Sequence, residues 1–186
     1  DTRDLEWFDA NLPDDMCLLG RGGHFCEYLC WLMGYETLCY ALYEQRDLVE
    51  AIARRVLELE LAAARVLLQS KRLRIWWASD DMGFATGLMI GPDDTRALVL
   101  SGHKALAERA HAAGCPYLLH ACGNRRDVIE DMITDTRIDA MHSWEDKIES
   151  ILDGKRAYGD RMSLLGGIDV DFLCRAGEGA IRRRVR

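Results

Sequence analysis

Residues 117–124 read YLLHACGN, and residues 138–146 read IDAMHSWED. Each stretch begins with a short apolar run and ends in polar residues, which include His120 and Cys122 in the first and His142 in the second. A continuous apolar run of this kind is typical of a parallel strand covered on both faces, whereas a half-exposed strand alternates apolar and polar residues. The two stretches therefore predict two buried parallel strands whose following loops carry the polar side chains.

The same pattern recurs along the chain, and each apolar run is followed by a polar or glycine residue and then by helical periodicity. It predicts five strands, at Met16–Leu19, Ile75–Ala78, Tyr117–Ala121, Ile138–His142 and Met162–Leu165. Strands that alternate with helices at this spacing are the units of a parallel α/β fold.

The helices between the strands are predicted from apolar periodicity and from residues that begin or end helices. Asp47 is the predicted cap of the second helix, and Pro92 and Asp93 begin the third. The predicted helices lie near residues 24–44, 47–69, 92–114, 125–134 and 146–157, with a last one from about Asp171.

Five strand–helix units fit two architectures, a flavodoxin-like open sheet and an incomplete (β/α)8 barrel of the TIM type. A closed barrel needs eight strands and at least about 200 residues, and this chain has 186. Length favours the open sheet, and only the resemblance described below favours a barrel. Residues 1–186 are predicted to form a single domain, because no linker, repeat or low-complexity segment interrupts them.

Composition excludes several classes of function. Hydrophobic residues make up 49% of the chain, and the net charge is -7, which argues against a nucleic-acid or anionic-membrane surface. No apolar run approaches the roughly 20 residues that a membrane span needs. Seven cysteines, an odd number, suit reduced thiols in the cytoplasm better than a disulfide framework. Because the sequence begins with Asp1 and not with Met, we expect a processed, trimmed or partial product.

His120 and Cys122 form the strongest candidate site. Residues i and i+2 of a strand face the same side, so both side chains can point to one centre. An imidazole and a thiolate suit Zn²⁺, and a catalytic zinc keeps three protein ligands and one open position. The same pair is also compatible with a purely structural role, in which the cysteine is packed and the histidine is hydrogen-bonded.

Other polar residues follow the remaining strands at the same rim, where the sites of parallel α/β proteins are built. Asp80 and Asp81 are adjacent, so at most one of them lines the centre and the other caps a turn. His142 and Glu145 can supply an imidazole and a carboxylate, although Glu145 also fits as a first-turn acid of the next helix. After the last predicted strand, Gly166 and Gly167 let the backbone approach a ligand, and Asp169 can serve as a cap.

Taken in order, several segments resemble the uroporphyrinogen decarboxylase superfamily. They are SDDMG at 79–83, YLLHACGN at 117–124, IDAMHSWED at 138–146, RMSLLGGIDVDFL at 161–173 and an earlier segment at 14–43. One branch of the superfamily removes acetate carboxyls from a tetrapyrrole without a cofactor. The other branch resembles the methylcobalamin:coenzyme M methyltransferases, which use zinc to activate a thiol that accepts a methyl group from a corrinoid.

The histidine and cysteine after the central strand belong to the methyltransferase branch, so the resemblance implies zinc ligation by His120 and Cys122. It also implies that Glu145 is an exchangeable ligand at the position that a substrate thiol later takes, that Asp80 or Asp81 lines the substrate cavity, and that a corrinoid such as methylcobalamin is a co-substrate. Methyltransferases of this kind complete the site with a second cysteine far downstream. Cys174 is too close to Cys122 in sequence to take that place.

The resemblance therefore implies a zinc-dependent methyltransferase that acts on a thiol or methylated small molecule, with a corrinoid protein as a possible partner. The chain matches the central part of the barrel, so we expect unpaired sheet edges, association with a partner or a second copy, and impaired catalysis by these residues alone. Two alternatives stay open. One is cofactor-free decarboxylation, for which Arg21 is the only arginine at a strand end, and the other is a non-catalytic fragment or binding module.

Overall fold

The computed structural model describes residues 2–186 and contains a five-stranded parallel sheet and a short antiparallel hairpin. All five predicted strands are present, and the first begins two residues later than expected. The strands are β1 Leu18–Gly22, β2 Leu73–Ser79, β3 Gly83–Phe84, β4 Gly87–Leu88, β5 Tyr117–His120, β6 Ala140–Trp144 and β7 Ser163–Gly166.

The order of the strands distinguishes the two predicted architectures. The sheet runs β1-β2-β5-β6-β7, so its strands follow one another in chain order, and every neighbouring pair is parallel. A flavodoxin-like sheet reverses its direction after the first crossover, whereas a (β/α)8 barrel adds each strand on the same side of the last one. The fold is therefore of the incomplete TIM-barrel type, and within residues 2–186 the sheet does not close.

The two faces of the sheet differ in burial. Trp76, Tyr117 and Met141 point to the helices and are almost completely buried in one core. Of the side chains that alternate with them, Trp77 and His142 are only partly buried, whereas Leu118 and Ala140 are buried. The expectation that both faces are covered therefore holds for the central strand β5 and not for the whole sheet. The second face, which lines the interior in a closed barrel, is called the open face below.

The helices lie between the strands as the sequence predicts, with two corrections. The long helix expected at 24–44 is broken at Gly34, whose φ of 79° is a left-handed conformation that favours glycine. Asp47 is not a cap, because the next helix already begins at Arg46 and Asp47 lies in its first turn. The helices are α1 Arg3–Asn11, α2 Phe25–Met33, α3 Tyr35–Glu44, α4 Arg46–Leu67, α5 Pro92–Asp94, α6 Ser101–Ala112, α7 Ile129–Asp131, α8 Ile151–Tyr158, α9 Val170–Arg175 and α10 Glu178–Val185.

Two further segments complete the helical regions predicted at 92–114 and 125–134. A π-helical segment, Thr95–Leu100, joins α5 to α6, and a second one, Met132–Thr136, follows α7. The helix α1 and the hairpin of β3 and β4 were not predicted. Strands of two residues are too short to show a periodic pattern.

Across residues 2–186, no helix combines the length and the apolar character needed to cross a membrane.

Candidate metal centre

Three neighbouring strands bring their carboxyl ends together at one rim of the sheet. Ser79 of β2 is paired with His120 of β5, and His120 is paired with His142 of β6. Paired residues of parallel strands point to the same face, so the two imidazoles lie side by side on the open face.

Three potential metal ligands meet at this rim. One donor atom from each of Asp81, His120 and Cys122 lies within 4.8 Å of the other two. The Nε2 atom of His120 is 3.6 Å from the Cys122 sulfur and 3.5 Å from Oδ1 of Asp81. All three residues are partly buried, so the centre is open to small molecules from the open face.

The distance between His120 and Cys122 passes a simple test for zinc. Bond lengths of about 2.0 Å to nitrogen and about 2.3 Å to sulfur, at the tetrahedral angle, place those two atoms about 3.5 Å apart. The Nε2 and Sγ atoms are separated by 3.6 Å. The two residues that the sequence singled out therefore fit one edge of a tetrahedral zinc site.

His142 contacts the far side of the His120 ring. The two Nδ1 atoms are 2.6 Å apart, so one ring donates a hydrogen bond to the other. If the Nδ1–H of His120 is the donor, its Nε2 is unprotonated and free to bind a metal. Burial, followed by the charge of His120, lowers the pKa of His142, which favours the neutral form that accepts this hydrogen bond. The ring of Trp77 lies 5.2 Å away and packs against His142.

The Cys122 thiol is held in an environment that disfavours its thiolate when no cation is present. Burial and then the Asp81 carboxylate raise its pKa to about 11, and the Ser143 hydroxyl opposes that rise. At neutral pH the thiol is therefore protonated. A dication at the centre would stabilise the thiolate and release the proton.

The loop that carries Cys122 is fixed by three neighbours. The Cys122 N–H donates to Asp81 at 2.9 Å, and the Gly123 N–H donates to Oε1 of Glu145 at 2.6 Å. The buried Arg125 guanidinium donates to the carbonyls of Ala121, Gly123 and Ser143. Glu145 thus contacts the loop backbone, and it does not belong to the group of three donors found in residues 2–186.

Gly123 also packs this loop against the hairpin. Its φ is 89°, and a Cβ atom there would lie 2.1 Å from the backbone of Gly83. Any larger residue would have to push the hairpin away. The glycine of the HACGN stretch is therefore required by a close backbone approach.

Asp80 points away from this centre. Its carboxylate is completely buried and accepts hydrogen bonds from the backbone N–H groups of Phe25, Cys26 and Glu27 at the start of α2. The His103 ring contacts the same carboxylate at 2.9 Å. Of the two adjacent aspartates, Asp81 faces the metal centre, and Asp80 caps a helix.

The residues after β7 lie at the end of the sheet. Gly166 and Gly167 have positive φ values, and their Cβ atoms would collide with Trp144 and Ile151, respectively. Asp169 caps α9 by accepting from the Phe172 N–H at 3.0 Å. That hydrogen bond, and then Lys147, lower the pKa of Asp169. These contacts are structural, and none of them joins the three donors.

With this geometry in place, the comparison with protein families identifies the chain. The model of the family described as uroporphyrinogen decarboxylase (URO-D) matches residues 8–186. The chain belongs to the uroporphyrinogen decarboxylase family. Neither curated proteins nor solved structures give a significant match.

Membership of the uroporphyrinogen decarboxylase family agrees with the resemblance in the sequence and with the sequential parallel sheet. The family name alone does not distinguish decarboxylation from methyl transfer, so that choice depends on the residues at the rim. Cys174 lies exposed on α9, and all seven cysteines are free thiols.

The sequence did not reveal two buried residues that support the Cys122 loop and Asp80. Arg125 lies buried beneath the Cys122 loop, and His103 lies buried beside Asp80. His103 appears in the sequence as one more residue of a helix, and Arg125 is one of two adjacent arginines. Their roles depend on contacts between separate units of the fold, which no local pattern reveals.

Proposed function

We propose that the protein transfers a methyl group from a corrinoid donor of the methylcobalamin kind to a small thiol, at a zinc ion held by His120 and Cys122. The observation that carries the proposal is the 3.6 Å distance between the His120 Nε2 and the Cys122 sulfur. The pair lies on the partly exposed face of the sheet, where a small molecule has access.

When bound, the metal would lower the pKa of the substrate thiol, so that the thiolate is available at neutral pH. The chain itself supplies the position and the orientation of the ligands. The hydrogen bond with His142 orients the ring of His120, and Asp81 fixes the backbone of Cys122. A thiol held at the centre would lose its proton to water, and its sulfur electron pair would then form the new bond to the methyl carbon. The bond between the methyl group and its donor breaks, and its electron pair stays on the donor.

Decarboxylation is the competing function within the family. It needs cations that hold the carboxylates of a tetrapyrrole, and Arg21 is the arginine that the sequence offers at a strand end. Arg21 lies on the edge strand β1, beside an open cavity of about 580 Å³ that is also lined by His24, Tyr28 and Glu60. The Glu60 carboxylate is buried and accepts from the Gly23 and His24 N–H groups. Among the described residues that line the cavity, Arg21 is the one basic side chain besides His24, which is too few for a polyanion. The donor set at the rim therefore favours methyl transfer.

The proposal is tested by following thiol methylation with the purified 186-residue chain, zinc, methylcobalamin and a small thiol. We expect slow methylation that requires zinc and is lost in a His120→Ala/Cys122→Ser double variant. Cys174→Ser, which removes an exposed cysteine, is the matched control and should retain the activity.

Two outcomes would contradict the proposal. One is decarboxylation of uroporphyrinogen that persists in the double variant, which would place the chain with the decarboxylases. The other is binding of zinc and thiol without any methylation, from free methylcobalamin or from a corrinoid protein, which would leave a binding module.

A further inference from the structure

A third protein ligand is needed to complete a catalytic zinc site, and the open position is then left for substrate. We propose that Asp81 is this ligand, so that the metal centre is a His/Cys/Asp site built from the ends of β2 and β5. This ligand set rests on the proposed function and makes it more specific. Because Asp81 ligation is tested by metal binding alone, it can fail separately from methyl transfer.

The distances support a single centre for all three donors. Zinc bonds of about 2.1 Å to oxygen and about 2.0 Å to nitrogen place the two atoms about 3.4 Å apart at the tetrahedral angle. Oδ1 of Asp81 lies 3.5 Å from Nε2 of His120. Together with the edge between His120 and Cys122, two edges of the tetrahedron have the lengths that zinc requires.

The carboxylate of Asp81 is already held in place. Its Oδ1 accepts a hydrogen bond from the Cys122 N–H at 2.9 Å, and the preceding residue, Asp80, donates its own N–H to the carbonyl of His120 at 2.9 Å. Two hydrogen bonds thus join the end of β2 to the end of β5. Ligands that are oriented before the metal arrives lose less entropy when they bind it.

Glu145 is the other carboxylate near this centre, and the family resemblance assigns it to the exchangeable position that a substrate thiol later takes. Its Oε1 accepts from the Gly123 N–H at 2.6 Å. It therefore supports the loop from the side of β6, whereas Asp81 approaches the donor atoms of His120 and Cys122 directly.

The chemistry of the three donors points to zinc and not to magnesium or calcium. Magnesium and calcium take oxygen ligands, whereas a mixture of imidazole, thiolate and carboxylate suits zinc. One thiolate and one carboxylate also neutralise the charge of the dication. The fourth position remains open to a thiol.

The test is zinc binding by the 186-residue chain, measured by competition with a chromogenic chelator. We expect about one zinc per chain, and in Asp81→Asn an affinity lower by more than about 100-fold, since loss of a mere outer-shell partner already costs about 10- to 100-fold. Asparagine keeps an oxygen that accepts from Cys122 and has the same shape, so the loop should stay in place. Asp135→Asn removes an exposed carboxylate on the surface and is the matched control, with unchanged affinity.

Cobalt(II) provides an independent readout of the ligand set. In Asp81→Asn, saturating cobalt should keep the absorption band of a cobalt–thiolate bond, and in Cys122→Ser that band should disappear. A folded Asp81→Asn variant with wild-type zinc affinity would overturn the inference. A wild-type chain that binds no zinc would overturn both the inference and the proposed function, whereas zinc binding that depends on Asp81 without methyl transfer would overturn only the latter.

Discussion

At the scale of single residues, His142 orients the imidazole ring of His120 through a hydrogen bond between their Nδ1 atoms. The two Nδ1 atoms lie 2.6 Å apart, and the pairing of β5 with β6 places the rings next to each other. A ring that is fixed by an outer neighbour presents its other nitrogen in one direction only. His142 is therefore a positioning residue for His120.

This role predicts different results for two substitutions of His142. In His142→Ala the His120 ring loses its partner, and we expect zinc affinity to fall by about 10- to 100-fold. In His142→Asn the amide oxygen can accept the same hydrogen bond, so most of the affinity should return. The measurement is chelator competition, and His111→Asn, on a partly exposed histidine of α6, is the control. Equal affinities for wild type and His142→Ala would contradict the role.

At the scale of secondary-structure elements, Asp80 connects two successive units of the fold. It follows β2, and its carboxylate caps α2, which belongs to the preceding unit. The carboxylate is fully buried, and backbone N–H groups at the helix start stabilise its charge. Asp80 therefore ties the start of α2 to the end of β2, in addition to the apolar packing of Phe25 and Leu29.

The prediction at this scale contrasts two adjacent aspartates. Asp80→Asn should lower the free energy of unfolding by about 2–4 kcal/mol, because a charged acceptor is lost and an amide N–H₂ is buried among donors. Asp81→Asn, at a partly exposed site, should change the stability of the metal-free chain by less than about 1 kcal/mol. Urea unfolding followed by circular dichroism measures both. A similar loss for the two variants would contradict the assignment of separate roles.

The same pair shows how much of the structure could be predicted from the sequence. The five strands follow from local apolar runs, and the sequence indicated that His120 and Cys122 lie together and that Asp80 and Asp81 diverge. The strand alternation behind that expectation does not hold, because β5 ends at His120 and β2 ends at Ser79. The partner of each aspartate could not be predicted. Asp80 contacts the start of α2, and Asp81 contacts Cys122, in both cases through neighbouring strands that are distant in the chain.

At the scale of the whole molecule, the open sheet has two edges. Within residues 2–186, β1 and β7 each pair on one side only, and Leu19 of β1 is 47% exposed. An unpaired parallel strand offers a row of backbone donors and acceptors to another chain, and natural edge strands are usually shielded by charge or by a covering segment. The partly exposed open face adds apolar surface next to the same edge.

We therefore expect the 186-residue chain to associate with itself through this edge, which agrees with the predicted homo-oligomer. The average mass in sedimentation velocity should rise across a roughly hundredfold increase in protein concentration, as mass action requires. Added salt should strengthen association, because the net charge of -7 makes two copies repel each other. Leu19→Lys places a charge on the edge strand and should shift the equilibrium to the monomer, whereas Leu152→Lys, on the exposed surface of α8, should not. A wild-type chain that stays monomeric over the whole range would show that the edges are shielded in solution.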